Sequence, residues 1–515
     1  MKCVWTLTLL GLLAAAIPLA AQQSVGNKNE SYFGTVFSIQ RDDIQSGCKT
    51  TLGATEEKKP LKVWVPGCLM PIFHGNKGLY PSFANLPPGN GLALGVVFKD
   101  TEMNPCSLPS WRFDYQADSQ RSFNGSWTAG GFLTMKLAPA SEPKPCGSAS
   151  RLTNAPGTNA VTPGSTNSPP SSKKPTIWLH PPVVRQGPIP KHLPNLGENE
   201  TKLLLNFYAF HTSLNQITFF GIGPDTVPAD RAFFGLRETV TGANADVLLP
   251  WGFHFLGELN GRWPKIDPRL GQSSPSIEQV YSEATAPGLA QQPGFVQPGE
   301  GLEFLHHAGG LGQGANFGAS YDFDWAVKFQ QFFAPSASTY SFRRLTIDAT
   351  NEIHLKKRFT PKEGGASTDE TFGTLQLGGW LSESIVPAGH VVPFYFQPTL
   401  GGGDIDKQRT LASYADYRFR APNALLFWAQ YEHPLPKYSF LGLLFRADSG
   451  KVATARGNLD LSHLRHTYGA GFTVRALDFP YLTFMYAWGG GEGNHTIADL
   501  NLSAIAPGGG PASLW

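Results

Sequence analysis

Residues 316–325 read NFGASYDFDW and residues 341–355 read SFRRLTIDATNEIHL. In the first stretch Phe317, Ala319, Tyr321, Phe323 and Trp325 fall on one parity, and Asn316, Gly318, Ser320, Asp322 and Asp324 on the other. In the second, Leu345, Ile347, Ala349, Ile353 and Leu355 oppose Arg344, Thr346, Asp348, Thr350, Glu352 and His354. Successive side chains of a strand point to opposite faces, so period two marks a strand with one apolar and one polar face. The same alternation runs through 111–118 and 467–476. The polar parity carries full charges over segments of about ten residues or more. Sandwich strands average about 5–6 residues. Strands of about 9–11 residues, apolar outward and polar inward, fit a transmembrane barrel with lipid outside and water inside.

Working outward, the pattern places strands near 90–99, 110–119, 125–137, 201–211, 214–221, 231–241, 246–260, 314–333, 338–356, 372–386, 391–400, 424–434, 439–449, 465–476, 481–488 and 495–503. The expected fold is therefore all-β, a transmembrane antiparallel β-barrel of about sixteen strands. Tight connections are expected at 120–124, 212–213, 242–245, 334–337, 387–390, 435–438 and 477–480, on the periplasmic side. Long ones are expected at 138–200, 261–313, 357–371, 401–423 and 450–464, on the external side. The stretch 141–175 is low-complexity Ser/Pro/Thr/Asn, which cannot bury a core, and reads as an external loop.

Composition narrows the function classes. The chain has 515 residues and a formal net charge of +2, without the basic excess of a nucleic-acid binder. Charged residues are 16% and aromatics 12%, which argues against global disorder. After the N-terminus no apolar run reaches the roughly 18 residues of a membrane helix. Residues 1–21 (MKCVWTLTLLGLLAAAIPLAA) have a positive start, an apolar centre and a small-residue end, which reads as a secretory signal peptide. Residues 22–89 are then a short N-terminal periplasmic segment, 90–503 the barrel, and 504–515 a Gly/Pro tail. Beyond Cys3 the cysteines are Cys48, Cys68, Cys106 and Cys146. An even count in an exported chain points to two disulfides, and the candidate pairing is Cys48–Cys68 with Cys106–Cys146.

Catalytic signals are weak. No Gly-x-Ser-x-Gly elbow and no His-Glu-x-x-His run occurs, so the chain is read as a non-enzyme without a cofactor. His306-His307 beside a Gly-rich run reads as loop, and His354, on a polar strand face, as lumenal. Five Asn-x-Ser/Thr sites, at Asn29, Asn124, Asn199, Asn494 and Asn501, belong to a competing reading as a soluble secreted β-sandwich with a binding role.

The C-terminal third carries more specific marks. Residues 399–435 read TLGGGDIDKQRTLASYADYRFRAPNALLFWAQYEHPL, residues 441–452 LGLLFRADSGKV and residues 464–493 LRHTYGAGFTVRALDFPYLTFMYAWGGGEG. Gly-Gly and a loop precede Tyr-Arg-Phe-Arg and an Asn-led strand. A strand ends in Asp448 and Gly450, and a Tyr-Gly-x-Gly strand leads to an aromatic strand and a Gly-rich turn. With Phe-Phe-Gly-Ile-Gly-Pro-Asp-Thr at 219–226, this succession resembles the BamA/TamA-like outer-membrane barrels, the bacterial surface antigen family. The resemblance implies a bacterial outer-membrane location and a role in membrane-protein assembly or transport. It implies lipid as surroundings, with client outer-membrane proteins or periplasmic assembly partners. A passive pore or structural barrel without insertase activity is the alternative.

Two departures qualify what the resemblance implies. The family's large loop carries an Arg-Gly-Phe/Tyr motif whose arginine pairs with acidic groups on the barrel wall. The matching positions here are Leu411, Ala412, Ser413 and Tyr414. Asp448 is thus expected to lose an arginine partner, with Arg409 or Arg418 near enough in sequence to replace it. The family's periplasmic modules are not recognisable in 22–89. Candidate lumen-wall residues are Asp448, Arg344, Asp348, Glu352, Asp322 and Asp324.

Overall fold

A computed structural model of the chain describes residues 77–103, 111–137, 203–268, 275–311, 315–359, 368–402, 411–435, 438–476 and 479–500, and a few positions between 37 and 45. The proposed signal peptide, all four cysteines, the 141–175 stretch, Arg409 and the C-terminal tail lie outside the described residues.

Sixteen strands form one antiparallel sheet in sequence order. They are β1 (Lys77–Asn85), β2 (Leu92–Met103), β3 (Trp111–Ser122), β4 (Trp127–Leu137), β5 (Leu203–Phe219), β6 (Ala232–Leu248), β7 (Phe253–Pro268), β8 (Phe295–Gly310), β9 (Phe317–Phe332), β10 (Phe342–Phe359) and β11 (Thr368–Ile385). After two short strands, β12 (Thr399–Leu400) and β13 (Phe419–Arg420), the wall continues with β14 (Asn423–Leu435), β15 (Tyr438–Ala453), β16 (Arg465–Ala476), β17 (Phe479–Gly489) and β18 (His495–Leu500). At about 3.3 Å per residue, the 18 residues of β10 span roughly 60 Å, enough to cross a tilted bilayer and project beyond it. No helix among the described residues is long and apolar enough to cross a membrane.

The alternation has the polarity expected of a barrel in lipid. Along β9, Phe317, Tyr321, Trp325 and Val327 are exposed, while Ser320, Ala326, Lys328 and Gln330 are buried. Apolar side chains face out and polar ones face the lumen, the inverse of a soluble core. A polar side chain on the outer face is neutralised locally: Asn351 accepts a 2.8 Å hydrogen bond from the Trp325 indole. Strand pairing satisfies the backbone groups that a bilayer would leave unsolvated.

Several boundaries differ from the sequence expectation. The expected strands 201–211 and 214–221 are one strand, β5, carrying a bulge between Leu214 and Ile217. The expected turn at 242–245 lies inside β6, and the chain reverses at 249–252 instead. Residues 391–400 are not a wall strand; they hold a single 3₁₀ turn, Phe394–Phe396, and β12. Two wall strands are additional. One is β1, which sets the start of the wall at Lys77 rather than 90, and the other is β8. Pro81 interrupts the β-pattern of β1, and Pro298, Gly299 and Gly301 that of β8.

These differences decide which end each connection occupies. Strand alternation places 86–91, 123–126, 220–231, 269–294, 333–341, 386–422, 454–464 and 490–494 at one end. The other end has 104–110, 138–202, 249–252, 311–316, 360–367, 436–437 and 477–478, together with the start of β1 and the end of β18. The low-complexity connection therefore springs from the end opposite the 386–422 connection, and not from the same side as expected. Short connections occur at both ends.

The wall runs from β1 to β18, and ladder pairing between those two strands is absent among the described residues. Their edges nevertheless meet, with Asn85 Nδ2 donating to Asp499 Oδ1 at 3.5 Å.

Candidate functional site: an inward-folded loop

In the connection 386–422, the described residues 392–402 and 411–422 are largely turned away from solvent. Val392, Phe394, Tyr395, Phe396, Leu400, Leu411, Ala412, Tyr414, Tyr417, Arg418, Phe419, Arg420 and Ala421 are all buried. This follows from what the wall presents at that end of the lumen. Phe219, Phe234, Phe295, Phe332 and Phe342 sit at the ends of β5, β6, β8, β9 and β10 and turn inward. The loop supplies the complementary rings. Phe394 meets Phe219 and Phe234 edge-on, with centroids 5.2 and 5.1 Å away, and Phe396 meets Phe295 at 5.0 Å. Aromatic pairs at such distances add about 0.5–1.5 kcal/mol each beyond the burial of their area. A second cluster joins Leu400, Leu411, Tyr414 and Phe419 of the loop to Leu426 and Val452 of the wall.

The Tyr-Arg-Phe-Arg run fixes the loop by charge and hydrogen bonding. Tyr417 has a positive φ of 61°, a backbone conformation seldom adopted outside glycine. Its hydroxyl donates to Pro88 O at 3.2 Å. The Arg418 side chain is 2% exposed and forks onto Glu492, with Nε to Oε2 at 2.7 Å and Nη2 to Oε1 at 2.8 Å. It also donates to Thr226 Oγ1 at 2.6 Å and to the Thr226 carbonyl. Phe220 and Phe419 lie 5.1 and 4.7 Å from its guanidinium. Arg420 donates to Phe394 O at 2.7 Å and so ties the two halves of the loop together. Arg465 of the wall lies 4.4 Å from the Phe419 ring and donates to Pro224 O at 2.7 Å. The Tyr414 hydroxyl donates to Gly490 O, and the Tyr414 carbonyl lies 3.1 Å from His495 Nδ1 of β18.

The loop-motif positions Leu411, Ala412, Ser413 and Tyr414 all reach this site. Asp448, 3% exposed, is beside them, but the expected arginine replacement does not occur through Arg418, which serves Glu492. Asp448 instead accepts from Arg446 Nε at 2.7 Å, from the Ala412 backbone N–H at 3.2 Å and from Thr467 Oγ1 at 3.3 Å. Arg344 also joins the site, donating to Phe396 O and lying beside the stacked Phe332 and Phe342 rings, 5.4 and 5.2 Å from their centroids. Asp322, Asp324, Asp348 and Glu352 occupy the lumenal parity of β9 and β10, which places Asp322 and Glu352 well below the loop. His306-His307 is not a loop; both residues lie in β8.

Three tyrosines at the loop end are held in the neutral form. Burial, with Asp230 nearby, pushes Tyr281 up to about 12. Burial and the hydrogen bond to Glu283 push Tyr340 up to about 12. Tyr395 is raised further, first by burial and then by Tyr340, Glu238 and Glu283. A cavity of about 770 Å³ opens beside the loop, lined in part by Asp225, Tyr281, His390, Asn423 and Arg456.

The sequence marks Tyr417 to Arg420 through the Tyr-Arg-Phe-Arg run and offers Arg418 as a partner for Asp448, but it gives no role to Tyr417, Arg420, Arg465 or Glu492. The available signal was the alternation of aromatic and arginine at 417–420, which is unusual inside a loop.

No known protein family matches the chain, and no curated protein does so. Solved structures similar in fold include BamA from Haemophilus ducreyi lacking POTRA domains 1–3, at 9% identity and a TM-score of 0.44, over 83% of this chain and 70% of that one. CdiB from Acinetobacter baumannii is similar at 9% identity and a TM-score of 0.39, over 80% of this chain and 55% of that one, so this chain spans little more than half of it. Pseudomonas aeruginosa OprD is similar at 11% identity and a TM-score of 0.29, over 82% and 94%.

Proposed function

We propose that this chain is a gated outer-membrane barrel that handles polypeptide in membrane-protein assembly or transport, and is not an open diffusion pore. The observation that carries the reading is the loop folded into the lumen and bonded to both edges of the sheet. Tyr417 reaches Pro88, just past β1, while Tyr414 reaches Gly490 and β18 and Arg418 reaches Glu492. A loop tied to the turn that follows the first strand and to the last strand couples any displacement of itself to the seam between those strands. That seam is where a barrel wall opens most readily, because a ladder elsewhere would have to break. The exposed apolar band supports an outer-membrane location, with lipid as the surrounding medium and client outer-membrane proteins or periplasmic assembly proteins as partners.

The test is a seam lock. Asn85→Cys with Asp499→Cys is oxidised in the folded chain, reconstituted in liposomes and assayed for insertion of an outer-membrane client and for ion conductance. Loss of insertion on oxidation, recovered on reduction, supports the reading. Equal insertion by locked and reduced protein sinks it. Steady conductance with no insertion by any form returns the chain to the passive-pore alternative.

A further inference from the structure

Toward the end of the barrel where β1 starts and β18 ends, the lumen face holds a mixed cluster that the loop site does not use. Asp322 of β9 and Glu352 and His354 of β10 present one ligand atom each, all within 4.8 Å of one another. His354 Nε2 lies 2.8 Å from Asp322 Oδ2 and 3.5 Å from Glu352 Oε2. The outer atoms of these side chains are occupied from neighbouring strands. Thr374 Oγ1 is 3.3 Å from His354 Nδ1, and Gln376 Nε2 donates to Glu352 Oε1 at 3.0 Å. Both come from β11. His307 Nδ1 of β8 contacts the other Asp322 oxygen, Oδ1.

We propose that Asp322, Glu352 and His354 bind a divalent transition-metal cation, of which Zn²⁺ is the best match, in the lumen. Three features carry this. The first is charge. Register pairs Glu352 directly with Asp322, and like charges directly opposite each other on one face are destabilising. A dication between them removes that repulsion. The second is geometry. Ligand atoms about 2.1 Å from a tetrahedral metal stand roughly 3.4 Å apart. The Nε2–Oε2 separation of 3.5 Å already has that value, and the Nε2–Oδ2 separation of 2.8 Å must open by only about 0.6 Å. The third is the outer shell. Ligands whose second atoms are fixed by hydrogen bonds keep their orientation and basicity, as in metal sites generally. One imidazole and two carboxylates suit a borderline cation such as Zn²⁺, with water completing the shell.

The full-length chain, free of purification tags, is stripped of metal in detergent and titrated with Co²⁺ as a coloured stand-in for Zn²⁺. One equivalent is expected to produce visible absorption that Zn²⁺ abolishes. Asp322→Asn and His354→Gln each abolish the signal. Gln376→Ala, which removes one hydrogen bond to the outer oxygen of Glu352, weakens binding by roughly 10–100-fold. His306→Gln is the control, since that ring points to the opposite face and stacks on Phe304 and Phe323. Heat-modifiable gel mobility verifies the fold of each variant. Absence of a saturable one-equivalent signal in the unmutated chain overturns the proposal. So does an unchanged signal in folded Asp322→Asn and His354→Gln, or an equal loss in His306→Gln. The readout involves neither client insertion nor the seam, so it stands or falls separately from the gating reading.

Discussion

Replacing Arg418 by alanine removes the only loop side chain that contacts Glu492 among the described hydrogen bonds. The guanidinium makes two hydrogen bonds to that carboxylate, two to Thr226, and lies against two rings. Deleting one partner of a buried ion pair costs about 3–5 kcal/mol, because the other charge is left without compensation. Glu492 keeps 26% of its side chain exposed, so water recovers part of that loss and the lower bound of about 3 kcal/mol applies. Every 1.4 kcal/mol is a factor of ten, so the population of the undocked loop rises by roughly 150-fold.

That population is measurable by hydrogen exchange of the backbone amides at 411–421 in the folded, detergent-bound protein. Arg418→Ala is expected to lower their protection by about two orders of magnitude. Protection in β9 and β10 stays unchanged. Bilayer recordings of the same variant are expected to show longer open intervals. Arg418→Lys retains the charge but not the fork, and is expected to fall between the two. If amides 411–421 keep their protection in a variant with normal heat-modifiable mobility, the ion pair does not hold the loop and the aromatic contacts and remaining hydrogen bonds do.

Two further outcomes are expected. Tyr281 and Tyr340, both raised to about 12, hold their phenols neutral in the fold while an unfolded tyrosine ionises near 10. Their contribution is therefore complete below about pH 10 and is lost as the pH rises through about 12, so protease cleavage at the loop end increases over that window, and Tyr340→Phe removes its share of the dependence. In the wall, a Cβ on Gly378 meets the Trp428 ring at 2.0 Å, so Gly378→Val is expected to destabilise by about 1–3 kcal/mol in heat-modifiable unfolding, with recovery in the Gly378→Val, Trp428→Leu double variant.

The fold class was legible because period two is a local property that lipid enforces on every strand. The strand count of sixteen was reached through two pairs of compensating differences. The sequence pattern omits β1 and divides β5 in two; it omits β8 and reads 391–400 as wall. Each pair restored parity downstream of itself. Between the members of a pair the alternation of sides is inverted, so the pattern puts the 138–200 connection at the same end as 386–422, whereas strand parity puts the two at opposite ends. The cause is physical. Proline and glycine lower strand propensity wherever they occur, yet β1 is a sheet edge and the ladder of β8 tolerates Pro298 opposite Leu259. The Phe-Tyr-Phe of 394–396 has the hydrophobicity of a wall strand because it is buried, but its burial is inside the lumen.

The loop site was legible in part, and the remainder depends on groups that no residue pattern reveals. Position-by-position matching indicated that Asp448 lacks a loop arginine. In the structure Arg446, two residues away on the same face, and the N–H of Ala412 take that role. A backbone N–H is available from almost any residue, so the alanine carries no sign of its function. Arg418, in turn, is answered by Glu492 from a connection 74 residues further on, a pairing that only closure of the sheet creates. The wall carboxylate and the loop arginine are thus both satisfied, but by different partners. Two of the loop's polar contacts involve carboxylates, Asp448 on β15 and Glu492 beside β18, and they are separate. Arg418→Ala releases only the second, and Asp448 still grips Ala412. The expected increase in undocking is consequently large in ratio while the docked loop remains the majority state.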